Sequence, residues 1–599
     1  MSTPRVSVRQ AALSAFLLVL AITPQVRPAD QLPTSAHPEI VELPTLEVTD
    51  TPKLPRPDKW RYTQIPGFEV ISNGSDSETL RLLRNFETFR IALDVAWPMK
   101  KFPAPPSALI LCGKETTFDA FVAKEKIGPD RASPTLLLTT SEQSFILVDL
   151  ALKKVVTSAF TADVSSGQTD LQYEIAGFRT TARSGGGTGS SPLISNAIFK
   201  IDPHIQLYRE YVRYIFAQDP TPPPVWLEEG IAQIVMRMQF TPRSILIGQL
   251  IENPSSSPSA QSFEDRDFIE ALRRRKLLSF DDFFGVQRGS AVIEESVIGT
   301  DLWAKQAYAF VHLGLYGQLG RYKPAFEALV ARAQKGPVTP AIFEECYGKP
   351  YEKFLVELAA YIESPNYEYQ EHTIKGKDRL DASPPDLRDA TESESERIKG
   401  DALRAAGKTA SARETAVAAY IRGERDPQFL ATLGQIELAV GHNQRAEKLL
   451  AVAAPTTTRP SVLIDLAQLR YDSATASNVG TDKKITDAQA ATILQPLLAA
   501  RALQPSTPEV YSLMARIWAQ TKTSPTAENV AMVTEGLKRF PRDEALVYYT
   551  AALNLRLGRH EAARSLIAYG EKIVVNDTQR SQFTRLKAQL PSDSSTLAR

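Results

Sequence analysis

Histidine and cysteine are scarce in this chain, with six and two in 599 residues, and that scarcity limits its chemistry. Cys112 and Cys346 are too few and too far apart for a disulfide framework or a thiolate zinc site, leaving one disulfide or two reduced thiols. An excess of either charge is also missing: Lys plus Arg (69) equals Asp plus Glu (69). The broad field that draws in nucleic acid or an anionic membrane surface is therefore absent, and neither partner is expected. Long apolar runs are missing too, except over residues 11–22, and no other segment approaches the ~20 residues that span a bilayer.

The remainder, 43% hydrophobic and 23% charged, is too long for one core and too apolar for disorder, so a multidomain protein is expected. Arg5 and Arg9 precede the apolar run, and Ala29 ends a stretch suited to cleavage, so residues 1–29 read as a signal peptide. Arg27 stands where a small residue is preferred, which keeps an uncleaved anchor as the alternative and the sole membrane contact foreseen. Either way export is expected, to the periplasm or outside the cell. Residues 30–59 are rich in irregularly spaced proline and read as a linker.

Ordered patterning begins near Trp60. "RYTQIPGFEVISN" alternates around a Pro-Gly turn, and residues 76–97 place Leu80, Leu83, Phe86, Phe89 and Leu93 at helical spacing behind an Asp/Ser cap. "SALILCG" predicts a buried strand, "KETTFDAFVAK" a helix, and residues 135–150 two strands around a polar turn, which makes this half α+β or α/β. Residues 183–192 are Gly-rich but lack the Lys of a phosphate loop, so a surface loop is expected there. Helices dominate after Leu193.

Two strings carry the chemistry. A zinc peptidase of the His-Glu-x-x-His kind needs two imidazoles one helical turn apart, with the Glu polarising the bound water. Here the string is Arg209-Glu210-Tyr211-Val212-Arg213: the spacing is kept and the ligands are not. After the breaker at 219–224, "WLEEGIA" sets Glu229 where a carboxylate ligand would lie. Gly230 within a helix costs about 1 kcal/mol relative to Ala, which fits a close backbone approach. An ordinary amphipathic helix would look similar, with Tyr208, Tyr211, Val212, Ile215 and Phe216 on one face and Gln206, Arg209, Glu210 and Arg213 facing solvent. No other histidine completes a ligand pair. His204 lies about 140° round the helix from Arg209, His312 is expected to pack within its helix, and His37 and His372 fall in presumed linkers.

These strings and their flanks resemble the secreted bacterial peptidase-MA-like domain proteins, relatives of the gluzincins that often carry tetratricopeptide repeats. The resemblance rests on "FEVISN" followed by a long helix, on R-E-Y-V-R where members carry H-E-Y-V-H, and on "WLEEGIA" where they carry W-L-N-E-G-x-A. It extends to the helix "QAYAFVHLGLYGQLGRYKPAFEAL" (306–329) and the closing "FEECYGKPYEKFLVELAAYI" (343–362), and covers residues 60–365. It implies a zincin-like α+β domain in which Glu210 matches the catalytic base, Glu229 the third zinc ligand, and Arg209 and Arg213 the two lost histidines. Zinc is the family's cofactor, and none is expected here. Two guanidinium groups bring the same +2 as zinc with two neutral imidazoles, so Arg209 or Arg213 is expected to pair with Glu229.

Beyond a linker at 366–392, Gly400 and Gly434, Gly407 and Gly441, Ala412 and Ala446, and Ala419 and Ala453 each lie 34 residues apart. That is the tetratricopeptide period, so residues 393–590 predict a separate all-α solenoid, with a tail at 591–599. His442 and His560 fall at its turns. The expected function is a non-catalytic binding or scaffold protein of the cell envelope that takes a protein or peptide through its repeats. The alternative is a hydrolase using Glu210 and Glu229 with other metal ligands.

Overall fold

The computed structural model describes residues 42–45, 57–97, 106–122, 134–152, 201–219, 221–250, 268–273, 275–290, 299, 301–375, 379–380, 382–477, 484–503, 506–574 and 576–591, with the backbone of five short strands between 154 and 200. The expected signal segment, most of the Pro-rich stretch, the Gly-rich stretch after Arg183, His37 and the tail beyond 591 lie outside the described residues.

The Pro66-Gly67 turn, with Gly67 at φ 83°, joins β1 (Arg61–Ile65) to β2 (Phe68–Ser72). Helix α1 (Asp76–Ala96) follows, its Ser75 side chain accepting from the Glu78 amide. Leu83, Phe86, Phe89 and Leu93 are buried as expected; Leu82 joins them, and Leu80 is only half-buried. Strand β3 (Ser107–Cys112), a short helix α2 (Glu115–Asp119), β4 (Thr135–Thr139) and β5 (Ser144–Asp149) complete the run.

These strands form one mixed sheet in which β2, β3 and β5 are parallel and β4 runs antiparallel to β5 at one edge. Side chains alternate across a strand, so the sheet has two apolar faces. Val70, Leu109, Leu111, Ile146 and Val148 join the core of α1 and the helices after residue 200. Ile71, Ala108, Ile110, Phe145 and Leu147 join Ile398, Ala402, Ala416, Tyr420, Phe429 and Leu433 of the C-terminal helices. Burial on both faces explains why β3 and β5 read as continuous apolar runs.

Three expectations change here. The helical array is not separate, because its first helices cover one face of the sheet and share its core. Nor is 366–392 a bare linker: Gln370–Thr373, which contains His372, pairs with Ser244–Ile247, and Arg388–Asp389 pairs with β1 at the sheet's other edge. The single helix expected at 306–329 is two, Leu302–Tyr316 and Lys323–Ala333. Between them Gln318 and Leu319 take left-handed φ of 48° and 59°, and the Gln318 amide donates to the Asn366 carbonyl at 2.7 Å. Gly317 caps the first helix, Gly320 takes φ 76° and Pro324 opens the second, so local breakers and this tertiary bond together end the helical run. The two cysteines are free: Cys112 is buried in the sheet, which pushes its thiol up, and Cys346 is partly exposed.

From Glu392 onward the chain forms helix pairs: Glu392–Ala405 with Thr409–Arg422, Pro427–Ala439 with Asn443–Ala453, and onward to Asp577–Lys587. The 34-residue positions have distinct jobs. Gly407 and Gly441 take positive φ in the turns, while Ala412, Ala446, Ala419 and Ala453 are fully buried where helices meet. His442 precedes Asn443–Ala453 as its half-exposed N-cap and contacts Glu437 at 2.6 Å, and His560 opens His560–Ile573. Among the described residues, no helix is long and apolar enough to cross a membrane.

Candidate functional site

Two helices set the site. Asp202 caps α3 (Pro203–Ala217) by accepting from the His204 amide, and Pro203 opens its first turn. Three prolines, Pro222 to Pro224, then deny the chain a helix until α4 (Val225–Met236). Helix α4 is buried along almost its whole length between α3 and Leu302–Tyr316. Close packing requires Gly230, because a Cβ there would lie 2.3 Å from Val311 Cγ2 and 2.7 Å from the Ala307 carbonyl oxygen.

That packing turns the polar face of α3 inward. Gln206, Arg209 and Glu210 are buried, so this face is not the solvent-facing side of an ordinary amphipathic helix. Arg209 forks onto Glu229, with Nε to Oε1 at 3.1 Å and Nη2 to Oε2 at 2.8 Å, and the two side chains are 1% and 6% exposed. Burial opposes the charge on Glu229, but Arg209, with help from Arg213 and Gln233, outweighs it and holds the carboxyl below its ordinary pKa. Arg213 instead reaches Glu210 Oε2 at 3.7 Å and Glu228 Oε1 at 3.5 Å. Burial disfavours its charge as well, yet Glu210, Glu228 and Glu229 together raise its pKa.

Several partners were not singled out from the sequence. Gln233, one turn beyond Glu229, donates to Glu229 Oε1 at 2.9 Å and to the Gly299 carbonyl at 2.8 Å, and it accepts from buried Lys305 at 3.1 Å. Gly299 has φ +68°, and a Cβ on it would lie 2.2 Å from Gln233 Nε2 and 2.9 Å from Glu229 Oε1. Glu210 accepts from Thr135 of the edge strand β4 at 3.0 Å, and Arg288 closes on Glu228 at 2.7 Å. The i,i+4 spacing of Glu229 and Gln233 was a visible signal; Gly299, Arg288 and Thr135 reach the site from distant segments and gave none.

The cleft among Arg209, Arg213, Glu228, Glu229 and Trp303 has a volume of about 10 Å³, room for about one water. Beyond Arg288 opens a groove of about 600 Å³ along Pro222–Pro224, Trp226 and Phe284. A zinc ion does not fit the donor set of the small cleft. Both oxygens of Glu229 are engaged by a guanidinium, which stays protonated and offers no lone pair. Among the described residues, no group of three or more His, Cys, Asp or Glu side chains is arranged to hold a metal. Of the remaining histidines, His204 Nδ1 lies 3.4 Å from Asn85. His312 is locked in the core, Nε2 donating to the Gly248 carbonyl at 2.7 Å and Nδ1 facing the Tyr361 hydroxyl at 2.8 Å, and burial lowers its pKa to about 4.

A scan against models of protein families finds no match, and a search of curated proteins finds none. Among solved structures the chain is similar to a thermophilic TPR protein of Thermus thermophilus, at 16% identity over 33% of this chain and 99% of that one, with a TM-score of 0.24. It is also similar to an assembly chaperone of RpL4, at 16% identity over 34% of this chain and 85% of that one, again with a TM-score of 0.24. The repeat assignment rests on the helix pairs and buried small residues of this chain itself.

Proposed function

We propose that the chain is an exported, peptidase-like protein whose zinc site has been replaced by an ion-paired network, and that it works by binding protein or peptide, in part through its repeats. The observation that carries this reading is the buried Arg209–Glu229 fork. It joins the position of a lost imidazole to that of the third ligand. Lone buried carboxylates are costly, and a forked guanidinium offsets that cost while excluding a divalent cation by charge. Glu210, the former base, is engaged by Thr135 and faces Arg213, which removes it from the task of activating water. With chemistry set aside, the 600 Å³ groove and the helix pairs remain as surfaces for binding.

The test is reversion. Arg209→His with Arg213→His supplies two neutral ligands beside Glu229 with a fourth position open for water. Calorimetry should then show one zinc per double variant and none per wild-type chain, and the melting temperature of the variant should rise with zinc. Stoichiometric zinc on the wild type, or none on the variant with its helical spectrum intact, would remove the degenerate-site reading.

A further inference from the structure

The stretch before the fold spaces its prolines irregularly, but the pair Leu-Pro is regular. Leu32-Pro33, Leu43-Pro44 and Leu54-Pro55 stand eleven residues apart, and the first two continue with Thr. The middle copy is seated on the protein. Pro44 is buried, Leu43 packs on the core that the sheet shares with the first helix pair, and the buried Tyr420 hydroxyl donates to the Pro44 carbonyl at 2.9 Å. On the following residue, Thr45, the chain is exposed again. The phenol is held from its ring face by Arg425, whose guanidinium carbon lies 3.7 Å from the ring centroid. Arg425 is itself fixed, Nη1 donating to the Tyr420 and Glu424 carbonyls at 2.5 and 2.7 Å.

We propose that the Tyr420 face of the first helix pair is a docking site for an extended Leu-Pro segment, occupied in this chain by Leu43-Pro44 of its own N-terminal stretch. The chemistry suits that dipeptide. Proline has no amide hydrogen, so its burial strands no donor, and its carbonyl is the one polar group left to satisfy, which the Tyr420 hydroxyl does. Its fixed φ lowers the ordering entropy, as in other proline-directed recognition on aromatic surfaces. Leucine adds the apolar contact. The recurrence of the pair gives the site a second ligand of the same chemistry, Leu32-Pro33-Thr34, within the same chain. The inference shares with the proposed function only the assignment of peptide binding to the repeats, and the outcome of the zinc experiment leaves it untouched.

The experiment uses the full chain and a fluorescent peptide of residues 38–48, followed by anisotropy. In the chain carrying Leu43→Asp and Pro44→Gly the resident segment is weakened, and the peptide should bind at least tenfold more tightly than to wild type. Adding Tyr420→Phe, which keeps the buried ring, should weaken that binding about fivefold, the worth of one hydrogen bond. An unlabelled peptide of residues 27–37 should displace the probe. Equal binding to wild-type and variant chains, no binding to the variant, or binding that persists when the peptide itself carries Leu43→Asp and Pro44→Gly would overturn the proposal.

Discussion

Replacing Arg209 by Met keeps an unbranched side chain in the packed space between α3 and α4 but removes the guanidinium. Glu229, buried with 6% of its side chain exposed, would keep only the Gln233 amide at 2.9 Å and the field of Arg213. Removing one partner of a buried pair costs about 3–5 kcal/mol, because the other charge is left without its counter-ion. Four of the five tryptophans (Trp60, Trp97, Trp226 and Trp303) lie before residue 366, so fluorescence during urea unfolding reports chiefly on that half. With a slope of about 3 kcal/mol per molar, the midpoint should fall by roughly 1–1.7 M. Adding Glu229→Gln removes the stranded charge and should recover at least half of the loss. The pH dependence supplies a sign. In the wild type the lowered pKa of Glu229 adds stability above the unfolded carboxyl value near 4.3, and this is lost as pH falls through the folded value. In Arg209→Met the same carboxyl, buried without its counter-ion, is raised, so its contribution is lost as pH rises. The gap between the two proteins should therefore shrink from pH 7 to pH 4.5. A gap below about 1 kcal/mol, a gap independent of pH, or a double variant no more stable than the single one would refute the argument.

Gly230→Ala should lower stability by about 2 kcal/mol in the same urea assay, since overpacking against the Ala307 carbonyl outweighs a gain of up to about 1 kcal/mol in helix propensity. Gly299→Ala should cost at least as much, because it combines a left-handed φ of +68° with a Cβ pressed into Gln233 and Glu229; its effect should be much smaller in the Arg209→Met chain, where the network is already broken. His312 is held neutral with its pKa lowered to about 4, so wild-type stability should fall as pH drops from 6.5 towards 4, by on the order of 3 kcal/mol from this group. His312→Gln should flatten that decline, and an unchanged pH profile would contradict the assignment.

Local signals were readable and long-range ones were not. The Pro-Gly hairpin, the capped helix α1, the apolar strands and the 34-residue small positions are each set within a few residues of sequence, and they occur where periodicity put them. An arginine partner for Glu229 was also expected, from the resemblance and the charge balance, but only as Arg209 or Arg213, and the structure selects Arg209. What the pattern did not disclose depends on segments far apart in sequence. β3 has the apolar run of any strand buried on both sides, and nothing in it says that the second cover comes from residues 398–449. The polar face of α3 reads as solvent-facing until Thr135, Glu229 and Gly299 are brought against it from other segments. At the break after Tyr316 the local breakers were legible, Gly317 as the helix cap and Gly320 at φ 76°, whereas the bond from Gln318 to Asn366 was not.

The double cover of the sheet has a consequence for biosynthesis. Strands β1 to β5 are complete once Asp149 has been made, yet the buried side chains of the core on their second face extend to Leu449, 300 residues later, and the strand that pairs with β1 begins only at Arg388. At about 5–20 residues per second, a ribosome leaves that face bare for roughly 15–60 s. Ile71, Ile110, Phe145 and Leu147 then form an apolar surface beside an unpaired β1 edge, the kind of species that holdase chaperones retain and that aggregates without them. A chain cut between Lys305 and the second helix pair should therefore be insoluble even though every residue of the Arg209 site is present, and the earliest truncation that stays soluble on expression should end beyond Leu449, the last fully buried residue of the shared core.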